Sequence, residues 1–263
     1  MQQHKGKLVL VTGSTKGIGL AINKIFYHAG AKIVITSRSQ LNIDKAISDF
    51  EEIGYEKDRV FVHKADLSLP EDVSLLTTEV QHYFSQCVDV LVNNTGGPKP
   101  SPVMELNETD WSKALNAVLL SVIRATSLVI PGMIEQKWGR IINIASSTAK
   151  EPAANMALSN VTRAGILSYT KTLSKEIGHY NITCNSILTS GVMTDRFYDL
   201  LGMPKGSEEA IKRIEELSAD VPMKRFITPE EFAKYISFLA SDDASYITGS
   251  AIPIDGGTLK GLY

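Results

Sequence analysis

Four apolar residues, Leu8-Val9-Leu10-Val11, run straight into Thr12-Gly13-Ser14-Thr15-Lys16-Gly17-Ile18-Gly19, and this junction constrains the fold more than any other stretch of the chain. A β-branched run that ends in closely spaced glycines and passes into an amphipathic segment reads as strand, tight turn and helix. Lacking side chains, Gly13, Gly17 and Gly19 let backbone amides approach an anion, and the positive end of the following helix points at the same place. The junction predicts a dinucleotide-binding turn, with Ser14, Thr15, Lys16 and Ile18 contacting the ligand between the glycines.

The rest of the chain repeats the alternation. Short apolar runs near 7–12, 32–36, 59–64, 88–92, 139–144, 181–187 and 249–254 are separated by helical patterns, which means parallel strands joined by crossover helices. Runs such as Ile33-Val34-Ile35 and Arg140-Ile141-Ile142-Asn143-Ile144 are apolar on both faces and need helices on both sides. The expected fold class is therefore α/β: a three-layer, doubly wound (Rossmann) parallel sheet with ligands at the carboxyl ends of its strands. With 263 residues, 43% of them hydrophobic, the chain suits one domain over 1–263, and Pro98-Lys99-Pro100-Ser101-Pro102 reads as a rigid loop within it. The stretch from about 195 to 222 breaks the alternation with polar helical pieces, as a lid over a substrate cleft would.

Composition removes several classes. A net charge of -2 gives no electrostatic reason to expect nucleic acid or a membrane surface as partner, leaving a small-molecule substrate. The opening residues lead into too short an apolar run for a secretory or spanning segment, so a cytoplasmic protein is expected. Cys87 and Cys184 are isolated, each beside a strand, and read as small buried hydrophobes; no metal site is expected.

The second strand ends Ile35-Thr36-Ser37-Arg38, without the carboxylate that would hold the ribose hydroxyls of NAD(H). Ser37 and Arg38, with Lys16 in the glycine turn, would surround a 2′-phosphate with donors and positive charge, which points to NADP(H). Asp66-Leu67 follows the third strand and Asn93-Asn94-Thr95-Gly96-Gly97 the fourth.

The order of these signals, Thr-Gly-x-x-x-Gly-x-Gly, then Asp66, then Asn-Asn-x-Gly, and finally Ile254-Asp255-Gly256-Gly257, resembles the short-chain dehydrogenase/reductase family over nearly the whole chain. The resemblance implies adenine and ribose contacts at Asp66, Leu67, Asn93, Thr95 and Gly96, and nicotinamide contacts at Val192 and Thr194, although Thr189-Ser190 stand where the family has Pro-Gly. It implies a homodimer or homotetramer built from the long fourth and fifth helices and the last strand. It also implies a catalytic tetrad, and here the chain departs. Ser146 matches the family serine, but Ser159 stands at the tyrosine position, Arg163 at the lysine position and Val118 at the asparagine position. Asn116, two residues from Val118, should face another direction on a helix. Lys150-Glu151-Pro152-Ala153-Ala154-Asn155-Met156 and Pro222-Met223-Lys224-Arg225 are similar to a divergent branch containing 3-oxoacyl-carrier-protein reductase-like proteins and reductases of the bacilysin pathway.

A phenol near pKa 10 can be tuned into a proton donor, whereas an aliphatic alcohol titrates far too high. Ser146, Ser159 and Arg163 are therefore candidates for holding an oxyanion, not for protonating it. One reading is reduction of a conjugated C=C beside a carbonyl, with carbon protonated by water or the lid. Another is ordinary carbonyl chemistry with a displaced acid, Tyr198, Asp195 or Lys150, in a cleft lined by Trp111, Met156, Met193, Phe197 and Tyr198. A third is a catalytically silent NADP(H)-binding sensor or scaffold.

Overall fold

All seven apolar runs form strands of one parallel sheet in a computed structural model that describes residues 3–262. The strands β1 (Leu8–Val11), β2 (Lys32–Ser37), β3 (Val60–Lys64), β4 (Val90–Asn93), β5 (Gly139–Ile144), β6 (Ile182–Thr189) and β7 (Ala251–Ile254) lie in the order β3-β2-β1-β4-β5-β6-β7. The chain thus winds outward from β1 to β3 and then returns to β4, and a crevice opens where the winding reverses, between β1 and β4.

Helices cover both faces, as strands apolar on both sides require. One core lies under α1 (Gly17–His28), α2 (Gln40–Glu52) and α9 (Pro229–Leu239), where Phe26, Phe50 and Phe232 meet Val9, Val11, Val90, Val92, Ile142 and Ile144. The other lies under α3 (Pro70–Phe84), α5 (Ser121–Glu135) and α6 (Ala157–Ile177), where Leu76, Val129 and Leu173 meet Leu8, Leu10, Leu91, Ile141 and Cys184. The assignment follows the two-residue period of a strand. Each fully buried side chain of this kind stabilises the fold by about 1.5–3 kcal/mol.

The helical layer before β5 is continuous. α4 (Glu108–Ala114) starts in a capping box between Asn107 and Asp110, passes into a π-helical turn at Leu115–Leu120 and continues as α5. The run Glu108–Glu135 is long and apolar enough, by length and composition, to cross a membrane. Its Ala125, Val129 and Met133 belong to the second core.

After β6 come α7 (Asp195–Leu201) and α8 (Glu208–Ser218), the polar helices expected between 195 and 222. Cys184 is buried in β6, and burial raises its thiol pKa to about 12, whereas Cys87 is only half-buried, short of the expectation for it. Among the described residues no group of three or more His, Cys, Asp or Glu is placed to hold a metal ion.

Candidate functional site

A cleft of about 650 Å³ lies at the carboxyl ends of β1 to β4. Of the residues singled out from sequence, Gly13, Thr15, Lys16, Gly17, Ile18, Ser37, Arg38, Asp66, Leu67, Thr95, Gly96 and Thr194 line it.

The glycine turn has the shape its residues permit. Gly13 and Gly17 sit at φ +55° and +54°, the left-handed region that L side chains rarely adopt. A Cβ on Gly17 would also lie 3.1 Å from Thr194 Cγ2. Asn94 pins the turn from the β4 side: its Nδ2 donates to the carbonyls of Thr12 (3.2 Å) and Gly13 (2.9 Å), and its amide donates to Thr12 Oγ1 (2.8 Å). α1 begins with no side-chain cap and no acidic residue in its first turn, so the positive end of the helix stays uncompensated at the cleft.

At the far end, Ser37 and Arg38 line the cleft beside Ser39 and Asn42, which the sequence reading missed. Ser39 Oγ accepts from the Asn42 amide and caps α2, whose first turn is free of acidic residues. The signal was present in the Ser39-to-Asn42 spacing, an N-cap pattern directly after a strand. Asp66 is committed locally. Burial pushes its carboxyl up, but the Ser68 amide (3.0 Å) and hydroxyl (2.7 Å) that donate to it, with Arg38 nearby, hold it below the usual carboxylate range.

Four expected contact residues do not line the cleft, and the side chains among them are engaged elsewhere. Ser14 is fully buried; its Oγ donates to the Val34 carbonyl and accepts from the Thr36 amide, tying the turn to β2. Gly19 packs on the Gly13 carbonyl, so its missing side chain serves turn–helix packing. Asn93 points beneath the sheet, where Nδ2 donates to Thr126 Oγ1 (3.0 Å) and Asn143 Oδ1 (2.8 Å). Val192 is buried in the first core, bridged to Ile227.

The reaction end is arranged differently from expectation. Ser146, just past β5, is half-buried, and its Oγ accepts from the Thr148 amide (3.2 Å) and hydroxyl (3.0 Å). Ser159 and Arg163 stand one turn apart on α6, both buried, and neither they nor Ser146 are among the residues that line the cleft; Leu158, next to Ser159, is the α6 residue that does. The Arg163 guanidinium is not free above the cleft: it donates to the Ile144 carbonyl at the end of β5 and to the Thr95 carbonyl in the β4 loop at 3.1 Å. Burial, and then the charge of Arg196, lower its pKa to about 10. Val118, at the family's asparagine position, lines the cleft within the π turn, while Asn116 faces elsewhere: Nδ2 donates to the Ser112 carbonyl, and Oδ1 accepts from Arg124. Among the described residues no tyrosine lines the cleft. Tyr198 is buried beside Phe197, which in turn packs on Phe226, so neither forms the expected apolar wall; Trp111, Met156 and Met193 are also absent from the cleft's lining. Asp195 lines the cleft and pairs with Lys205 at 3.6 Å, and Lys150 is exposed outside it.

A parallel sheet reversing at β1/β4, with a glycine turn over that reversal, defines a nucleotide-binding α/β protein. The profile of the family described as "Enoyl-(Acyl carrier protein) reductase" matches residues 13–258. The 3-oxoacyl-[acyl-carrier-protein] reductase FabG of Thermotoga maritima is 33% identical over 253 residues, covering 96% of this chain and 98% of that protein. The chain belongs to the short-chain dehydrogenase/reductase family. Among solved structures it is similar to L-sorbose reductase from Gluconobacter frateurii complexed with NADPH and L-sorbose (32% identity, TM-score 0.91, covering 100% of both chains). It is also similar to YwfH, an NADPH-dependent reductase involved in bacilysin biosynthesis (29% identity, TM-score 0.90, covering 98% of this chain and 100% of that one).

Proposed function

We propose that this protein is an NADP(H)-dependent reductase of small organic substrates whose reaction centre works without the phenol–ammonium pair usual in its family. The observation that carries the cofactor half is the donor set at the end of β2. Ser37, Arg38, Ser39 and Lys16 line the cleft there, and the family's ribose-binding carboxylate has no counterpart at the strand end. A 2′-phosphate suits these groups, the amides of Gly17 and Ile18 suit a pyrophosphate, and Asp66 and Leu67 flank an adenine. The NADPH named for both similar structures supports the same reading.

When bound, NADPH supplies a hydride. The chain's own contribution is to hold and polarise the acceptor. Ser146 and Ser159, which lie beside the cleft rather than on its wall, would offer hydroxyl donors to a carbonyl oxygen as charge builds on it, and Arg163 would keep a positive charge beneath the ends of β4 and β5. Because no phenol among the described residues lines the cleft, the acceptor best suited to it is a C=C conjugated to that carbonyl, whose carbon takes its proton from water. Carbonyl reduction would instead require an acid, and Asp195 is the only one of the three expected candidates on the cleft wall.

The deciding experiment is NADPH consumption with paired enones and saturated ketones, followed by product identification. Turnover of the enone alone supports conjugate reduction, and turnover of the ketone assigns carbonyl reduction. Tight NADPH binding with no oxidation by either acceptor would leave a sensor or scaffold and sink the reductase reading.

We further infer that residues 195–222 form a lid and that the protein associates as a homodimer or homotetramer. Exposed Tyr235, Phe238 and Met223 around a second cavity against β7, together with exposed Leu128 on α5 and Val161 on α6, support association. A monomer in light scattering would contradict it.

A further inference from the structure

The segment after β6 spans the cleft from wall to wall. At one end, the methyl group of Thr194 sits over the glycine turn, close enough that a Cβ on Gly17 would lie 3.1 Å from it. At the other, Arg196 in the first turn of α7 reaches the β4 loop, where Nη2 donates to the Pro98 carbonyl at 3.2 Å and rests against Gly97. Any ligand lying along the glycine turn toward Gly96 therefore passes beneath residues 194–196.

On the spanning segment itself the one acid, Asp195, is paired with Lys205 at 3.6 Å. Arg163 approaches the same loop from below, anchored on the Thr95 carbonyl, and is buried without the compensation of a nearby acid. Arg196 is near enough for its charge to act on Arg163. Between the two anchor points the loop is bare backbone: a Cβ on Gly96 would meet nothing within 4 Å. The Thr95 hydroxyl on the cleft wall is buried and has no hydrogen-bond partner. Arg196, on the cleft wall and held there by one neutral carbonyl beside open backbone, is the cation placed to take a strongly anionic group, with Arg163 adding its charge from behind the loop.

We propose that Arg196 is a cofactor clamp on the lid, which exchanges the Pro98 carbonyl for the pyrophosphate of the bound dinucleotide and so couples cofactor binding to closure of α7 over the cleft. This rests on the dinucleotide reading of the cleft, but not on the reaction assigned to it. A guanidinium that can leave a single neutral carbonyl for a doubly charged group gains charge-assisted hydrogen bonds. It also carries Thr194 and α7 with it, so the substrate side of the cleft takes its final shape only once the cofactor is in place.

The test compares NADPH and NADH affinities for the wild type, Arg196→Gln and Arg196→Lys by fluorescence titration, with amide exchange over residues 195–201 followed in the same samples. Both nucleotides carry a pyrophosphate and only one carries a 2′-phosphate. The expected result for Arg196→Gln is a rise of about tenfold to a hundredfold in both dissociation constants, the cost of one or two charge-assisted bonds. NADPH should protect the 195–201 amides in the wild type but not in this variant, and Arg196→Lys should recover part of both effects. Loss confined to NADPH would place Arg196 on the 2′-phosphate, and unchanged affinity for both nucleotides would release it from the cofactor; either overturns the clamp. Failure of NADPH and NADH alike to bind the wild type would instead overturn the dinucleotide reading itself.

Discussion

The glycine turn and the region of Ser146, Ser159 and Arg163 behind the cleft wall are built on opposite plans. Around the glycine turn, backbone shape does the work: left-handed Gly13 and Gly17, an uncapped α1 and the Asn94 amide that pins the turn leave few residue types that could stand in their places. Around Ser146, Ser159 and Arg163 the backbone is ordinary, and what distinguishes the region is the side chains it carries. The first plan announces itself in a short motif, whereas the second is held by long-range contacts such as the two carbonyls that anchor Arg163.

The sharpest way to break this contrast is at Gly17. A Gly17→Val substitution should strain a φ of +54° and push against Thr194, abolishing NADPH binding in a fluorescence titration; retained affinity would show that backbone shape is not what the turn contributes. Next in size, Arg38→Asp should shift the NADPH-to-NADH affinity ratio by about tenfold or more toward NADH, since it removes a cation and adds the missing carboxylate. Equal losses for both nucleotides would contradict Arg38 as the phosphate reader.

Beneath the cleft, Asn93→Ala should cost about 1–3 kcal/mol of unfolding free energy in urea by stranding Asn143 and Thr126, while NADPH affinity stays within a factor of two or so. A variant of normal stability that no longer binds NADPH would return Asn93 to the cofactor site. At the reaction end, Ser159→Ala should lower turnover by less than about tenfold with cofactor affinity intact, as expected of one oxyanion donor among several; complete loss would make Ser159 the proton carrier.

The smallest effect lies far from both ends. His4 is buried against Phe26 and bonded to Ser237, and burial lowers its pKa despite opposing contributions from Ser237 and Asp242. The unfolded chain therefore takes up the proton first, so the stability His4 contributes is complete above about pH 6.5 and drains away as pH falls below it. Urea midpoints at pH 7.5 and 5.5 should differ more for the wild type than for His4→Leu, and identical differences would show that His4 is not the source.

How much of this was legible in the sequence follows from the range of each cause. The strands, their parallel pairing and the glycine turn are local or periodic signals, and the β1–β4 crevice follows from them. The choice between Asn93 and Asn94 was not read, yet it depends on a two-residue period: Asn93 shares the face of Leu91, which meets α5, so its neighbour is the one turned to the cleft. Ser14 escaped because its partners, Val34 and Thr36, come from a strand twenty residues on. The π turn that brings Val118 to the cleft leaves no trace in hydrophobic spacing, and the double anchoring of Arg163 requires knowing that Ile144 and Thr95 lie side by side.

Asn93, Asn143, Thr170 and Ser186 form one unbroken hydrogen-bonded chain, running under β4, β5 and β6 and tied to α5 and α6. It makes the floor of the reaction end a riveted plate, each bolt shielded from water and each dependent on the next. The segment 194–218 is fastened differently, by Phe197 packing on Phe226 and by Arg196 donating to the Pro98 carbonyl. Substitutions in the segment 194–218 can therefore change the cleft's outer wall while the plate beneath keeps its shape.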